Sequence, residues 1–177
     1  MTTDNMQVLG ALILGYSQAC VNLKIILGLK IAEKLNDIKP NIWYPLSLWN
    51  DLGKSVINKY DNPGPIMEKV GEEMMKGWYH YGPGKEIIKT GTDFLHFQTS
   101  SEGYYSVVKG PKEKIGDFKL EKIDLDRGYA KVFSTTPFNR DMERGVLIGG
   151  MKAPNDLDYI EVNNNKDINN FEIIFYK

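Results

Sequence analysis

A chain of 177 residues, 42% hydrophobic and 25% charged, has the composition of one globular domain, and at this length roughly 70% of the unfolded surface is buried. Its 22 basic and 23 acidic residues leave a net charge of −1, so no basic field attracts phosphates and nucleic-acid binding is not expected. The one cysteine, Cys20, excludes an internal disulfide and a cysteine-rich zinc site, and an unpaired thiol agrees with a cytoplasmic location.

Residues 5–23 carry no charge, and Val8 to Leu14 is strongly apolar. A spanning helix needs about 20 predominantly apolar residues, and Gln7, Ser17, Gln18 and Asn22 interrupt this one. A secretory leader has a basic start, whereas the chain opens Met-Thr-Thr-Asp-Asn. The stretch reads as buried core, with no membrane span. Val8, Leu9, Leu12, Ile13 and Tyr16 have helical spacing over 6–20, and a second helix is expected from about Asn22 to Leu35. Ile42-Trp43-Tyr44-Pro45 makes an aromatic corner in which Tyr44, preceding proline, is extended. Trp49, Leu52, Val56 and Tyr60 mark the buried stripe of the next helix, which ends at Asp61-Asn62-Pro63-Gly64-Pro65. Ile66, Met67, Val70, Gly71, Met74 and Trp78 mark another, with Gly71 placed to let a neighbouring helix come close.

Gly84 to Gly110 reads as one central helix, with Ile87, Gly91, Phe94, Leu95, Gln98, Glu102, Tyr105 and Val108 recurring at steps of three and four. The polar breaks at Gln98 and Glu102 mark a wet or ligand-facing position, or else the end of the buried stripe. Beyond Gly110 the period changes. Residues 118–123 and 128–133 alternate as antiparallel strands joined at Asp124 to Arg127, and 159–162 and 171–175 form a hairpin across Asn163–Asn170. Between them Pro137 to Gly149 is expected to be a helix capped by Thr136. The whole is a single α+β domain over 1–177, with helices first, then an antiparallel sheet of about four strands with one inserted helix. No strand is expected among the early helices.

This order resembles the heme nitric-oxide/oxygen-binding (H-NOX) superfamily and the 4-vinyl reductase-type small-molecule domains. The likeness runs through the helical first half, a central helix ending in Val107-Val108-Lys109-Gly110, two strands, a helix reaching Gly145-Val146-Leu147-Ile148-Gly149-Gly150, and the terminal hairpin. It implies a sensor fold enclosing a small molecule, which in H-NOX domains is heme. The heme-bearing residues depart from the family pattern. The family's iron-ligating histidine, nine residues before the Lys-Gly glycine, falls on Ser101, and His96 is five residues earlier. A hydroxyl is a poor axial ligand. The family's propionate-holding Tyr-x-Ser-x-Arg falls on Phe133-Ser134-Thr135-Thr136-Pro137, which lacks both tyrosine and arginine. A terminal cysteine cluster of the 4-vinyl reductase type is also absent from the sequence, so neither heme nor a structural metal is expected, and no other cofactor.

Candidate chemistry is sparse. His80 and His96 are 16 residues apart on different elements and mark no carboxylate partner for a metal. Gly82-Pro83-Gly84-Lys85 lacks the full phosphate-loop pattern and reads as a turn into a helix. Cys20 has no basic neighbour in sequence to lower its pKa. Arg140 and Arg144 lie one turn apart, either as a salt-linked surface or as an anion clamp at a pocket mouth. Aromatic residues crowd the middle of the chain and can line an apolar cavity.

The reading is a non-catalytic sensory or carrier domain holding an apolar small molecule, without heme, between helices and sheet. Trp49, Trp78, Phe94, Phe97, Gln98, Ser101, Tyr105 and Phe133 are its expected lining, with Arg140 and Arg144 as the clamp. The alternatives are a protein-interaction module in signalling, dimeric in solution, and an enzyme using His80, His96, Arg140 and Arg144 together.

Overall fold

A computed structural model of the chain describes residues 5–164 and 166–177; the opening Met-Thr-Thr-Asp and one position of the 163–170 loop lie outside the described residues. The chain enters as a strand. β1 (Gln7–Leu9) runs straight into α1 (Gly10–Asn22), so the helix expected over 6–20 begins at Gly10. A Cβ at Gly10 would lie 2.0 Å from the Lys39 carbonyl oxygen, which reserves the junction for glycine. The second expected helix shrinks to α2 (Leu29–Leu35), because Lys24 leaves helical geometry with φ 59° and Gly28 is extended. β2 (Trp43–Pro45) is extended, as the Tyr44-Pro45 pair requires. It leads to α3 (Leu46–Ile57), which buries Trp49, Leu52 and Val56, and α4 (Gly64–Tyr81), which buries Met67, Val70, Gly71 and Met74.

The expected central helix is three pieces: α5 (Gly84–Ile87), α6 (Gly91–Gln98) and α7 (Tyr104–Val107). A capping box causes the first break. Thr90 Oγ1 accepts from Asp93 N at 3.1 Å while Asp93 Oδ2 accepts from Thr90 N at 2.8 Å, so a new helix starts here. At the second break the Thr99 and Ser100 hydroxyls donate back to Leu95 and Phe97 carbonyls at 2.8 and 2.7 Å. Gly103 completes that turn, where a Cβ would lie 2.3 Å from the Phe97 carbonyl oxygen.

β3 (Val108–Lys109) follows, then α8 (Lys112–Ile115). β1 lies between β2 and β3 in a small antiparallel sheet, with Val8 opposite both Tyr44 and Val108. The expectation of no strands among the early helices is therefore corrected. Ladders of two or three residues are too short to show a period of two.

The expected hairpins form where the alternation placed them. β4 (Phe118–Asp124), β5 (Tyr129–Ser134), α9 (Arg140–Lys152), β6 (Tyr159–Asn163) and β7 (Asn170–Tyr176) give a four-stranded antiparallel sheet in the order β4-β5-β7-β6. α9 starts later than expected. Asn139, not Thr136, is its cap and accepts from Met142 N at 3.0 Å. This helix is buried from Met142 to Met151 apart from Arg144, and it packs against α4, α6 and β6. It is the true centre of the fold. Glycines bring it against α4: a Cβ on Gly71 would lie 2.2 Å from the Met142 carbonyl oxygen, and one on Gly145 would lie 1.9 Å from that of Glu68. The close approach expected at Gly71 is present.

Candidate functional site

A cavity of ≈ 1010 Å³ lies between α1, α4 and the α5–α7 segment. On α1 its wall is Ala11, Gly15 and Ala19, at helical steps of four. On α4 it is Met74, Gly77, Trp78 and Tyr81, and on the third side Ile87, Phe97 and Gln98. Two of these positions define the space. An added Cβ on Gly15 or Gly77 would meet nothing within 4 Å, although both sit inside helices where glycine costs about 1 kcal/mol against alanine. Trp78 and Phe97, both in the lining, stack on each other with ring centroids 5.0 Å apart and planes 19° from parallel. Behind them Phe94 meets Trp78 edge-on at 6.2 Å and seats on α9, leaving no room for a side chain at Gly150.

The polar part of the lining is acidic. Gln18 Nε2 donates to Asn22 Oδ1 at 2.9 Å, and Asn22 Nδ2 donates to Glu73 Oε1 at 2.9 Å. Gln98, Glu102 and Ser106 lie along the α6–α7 side. No lysine, arginine, histidine or cysteine lines the cavity among the described residues.

The expected site residues separate. Trp78, Phe97 and Gln98 meet at the cavity. Trp49, 5% exposed, is core, edge-on to Tyr16 at 5.0 Å and tilted against Phe138 at 5.2 Å. Phe94 supports the wall from behind. Ser101 is exposed in the turn before α7. Tyr105 accepts a hydrogen bond from Phe118 N at 3.1 Å and so fastens α7 to β4. In β5, Ala130, Val132 and Ser134 are buried while Tyr129, Lys131 and Phe133 alternate with them, so Phe133 faces away from the helices. The cavity therefore lies among helices; the four-stranded sheet contributes no residue to it, which corrects its expected position between helices and sheet.

Arg140 and Arg144 diverge into separate ion pairs. Arg144 meets Glu68 on α4. Arg140 meets Glu143 Oε2 at 2.6 Å and also donates to the carbonyls of Thr136 and Phe138 at 3.1 Å each. Both arginines are salt-linked, but the Arg140–Glu143 pair is buried and not on the surface helix that the sequence suggested. Sequence reasoning left Glu143 on a surface helix, yet it is 4% exposed. Its carboxylate accepts from Ser134 Oγ at 3.0 Å and from Thr136 Oγ1. Burial pushes its pKa up to about 7, against the downward pull of Arg140, Thr136 and Ser134. Burial likewise pushes the Cys20 thiol up to about 12, far from the range of a nucleophile. His80 and His96 are both exposed and outside the cavity. Among the described residues no cluster of His, Cys, Asp or Glu could hold a metal ion, and no helix is long and apolar enough to cross a membrane.

No family model matches the chain, and no curated relative matches it. Solved structures do. A variant of the Tt H-NOX domain aligns over 96% of this chain and 95% of its own, with TM-score 0.69 and 14% identity. An oxygen-binding H-NOX domain related to soluble guanylate cyclases aligns over 95% of both chains, with TM-score 0.67 and 14% identity. The H-NOX protein of S. oneidensis, in its Fe(II)NO state, aligns over 94% of this chain and 97% of its own, with TM-score 0.66 and 10% identity.

The chain has the H-NOX fold.

The heme that this fold implies can be tested against the residues present. Axial ligation calls for His, Cys, Met or Tyr. In the H-NOX fold of this chain, Ser101 and His96 are exposed and, among the described residues, the cavity's only such donors are the thioethers of Met74 and Met75 and the 91% exposed Tyr81. The lining also offers no cation to pair with heme propionates, and Glu73 and Glu102 are its carboxylates. These residues do not fit a histidine-ligated heme.

Proposed function

We propose that this chain is a non-catalytic sensory or carrier domain that holds an apolar small molecule, without heme, in the cavity between α1, α4 and the α5–α7 segment. One observation carries the reading. Two mid-helix glycines, Gly15 and Gly77, face open space at a size typical of ligand sites, where alanine would make better helices. The lining is mostly apolar and aromatic with a few polar groups, the usual make-up of a small-molecule site. One neighbour of this fold is described as an oxygen complex and another as being in an Fe(II)NO ligation state. The absence of histidine and cysteine from this lining, among the described residues, supports a different occupant.

The test is native mass spectrometry of the purified protein together with heme titration. Expected are a retained small molecule and no Soret band of a stoichiometric complex. A one-to-one heme complex with a sharp Soret band would overturn the heme-free reading. A protein that neither retains nor takes up any apolar molecule would overturn the cavity as a ligand site.

A further inference from the structure

The proposal that follows rests on the cavity being a ligand site and concerns which charge its ligand carries. The two ionisable acids of the lining, Glu73 and Glu102, have no lysine, arginine or histidine beside them in it. Glu73 is the better placed. Its side chain is only one-fifth exposed (20%), and Asn22, itself held by Gln18, fixes Oε1 through a 2.9 Å hydrogen bond. Oε2 is left with Lys76 at 3.7 Å, beyond hydrogen-bond length, and Lys76 is 64% exposed outside the lining. Glu102 is exposed on the α6–α7 side, and its carboxylate accepts no hydrogen bond among the described residues. The aromatic side chains Trp78 and Phe97, stacked on each other, line the same cavity.

We infer that the cavity selects an apolar, flat molecule carrying a cationic group, of the ammonium or amidinium kind, and rejects the corresponding carboxylate. A cation leaving water here enters a lining whose only ionisable groups, among the described residues, are acidic or phenolic. An anion leaving water meets like charge in a partly desolvated cleft, where screening is weak. Gln98 on the same side adds an amide whose oxygen accepts from an N–H donor.

Three pyrene probes of one shape separate the possibilities: 1-pyrenemethylamine, 1-pyrenemethanol and 1-pyrenecarboxylate, titrated by fluorescence into the full chain at neutral pH and low salt. The amine is expected to bind at least ten-fold more tightly than the carboxylate, with the alcohol between. In the Glu73→Gln/Glu102→Gln double variant the amine-over-carboxylate preference is expected to collapse, with circular dichroism and the urea midpoint showing that the variant is folded; a preference that survives in the folded variant overturns the role of the two acids. Gly77→Leu is expected to abolish binding of all three. Carboxylate binding equal to or tighter than amine binding overturns the charge preference and leaves the cavity standing. If none of the three binds, or if binding survives Gly77→Leu, the cavity itself is refuted as the site.

Discussion

Gly77 and Gly145 are both helical glycines, yet an added Cβ meets nothing within 4 Å at Gly77 and lies 1.9 Å from the Glu68 carbonyl oxygen at Gly145. The same chemical change must therefore have opposite signs at the two positions. Gly77→Ala removes a flexible residue from α4 with no clash and is expected to stabilise the chain by about 0.5–1 kcal/mol. Gly145→Ala forces α9 away from α4 and is expected to cost about 3 kcal/mol. Urea unfolding of the two variants measures both. Destabilisation by Gly77→Ala would mean that the space beyond it is filled.

Gly15 gives an independent check from the facing helix. Gly15→Ala is expected to stabilise α1 by about 0.5–1 kcal/mol, and Gly15→Leu to fill the cavity and expel whatever molecule co-purifies. Native mass spectra of the two variants separate the effects: retained ligand in the first, none in the second. An unchanged ligand signal in Gly15→Leu would place that molecule elsewhere.

Glu143 makes stability depend on pH. Its carboxyl is held up at about 7 by burial, above its unfolded value of 4.5, so the folded state binds this proton more tightly than the unfolded chain. The resulting contribution is fully present below about pH 4.5 and is lost as pH rises through about 7. Glu143→Gln removes this dependence. Wild type is therefore expected to lose roughly 1–3 kcal/mol relative to Glu143→Gln between pH 5 and pH 8. Denaturant midpoints of both proteins across that range measure it. Parallel curves would show that Arg140, Ser134 and Thr136 outweigh burial and keep the carboxylate charged throughout.

Thr90 sets where α6 begins. Thr90→Val keeps the β-branched shape but deletes the oxygen that accepts from Asp93 N, and a loss of about 1 kcal/mol is expected. Hydrogen exchange should show it first at the start of α6, with the cavity wall at Phe97 and Gln98 loosened less. Uniform change across the chain would refute the local role.

Much of the architecture was legible in residue spacing. The run Tyr129 to Ser134 alternates in burial as its composition implies, and the stripe Met67, Val70, Gly71 and Met74 faces inward as its spacing implies. Trp78, Phe97 and Gln98, among the residues that the sequence suggested as a lining, are brought together at one cavity, whereas the spacing of the aromatics alone reads equally as closed core. The split of Gly84 to Gly110 was written in Thr90-x-x-Asp93, but a continuous apolar period across 27 positions masked that short capping signature. Glu143 was beyond local reasoning, since nothing at steps of three or four reports that Ser134 and Thr136 from the preceding segment close over it.

Local periodicity, then, settled which residues turn inward, because each helix or strand imposes its own repeat on the side chains it carries. Contact between distant segments decided what those residues face. Trp49 met Tyr16 and Phe138 and became core, while Gly15 and Gly77 met nothing and became the walls of a cavity. A void is a relation among α1, α4 and the α5–α7 segment, which no single stretch of chain encodes.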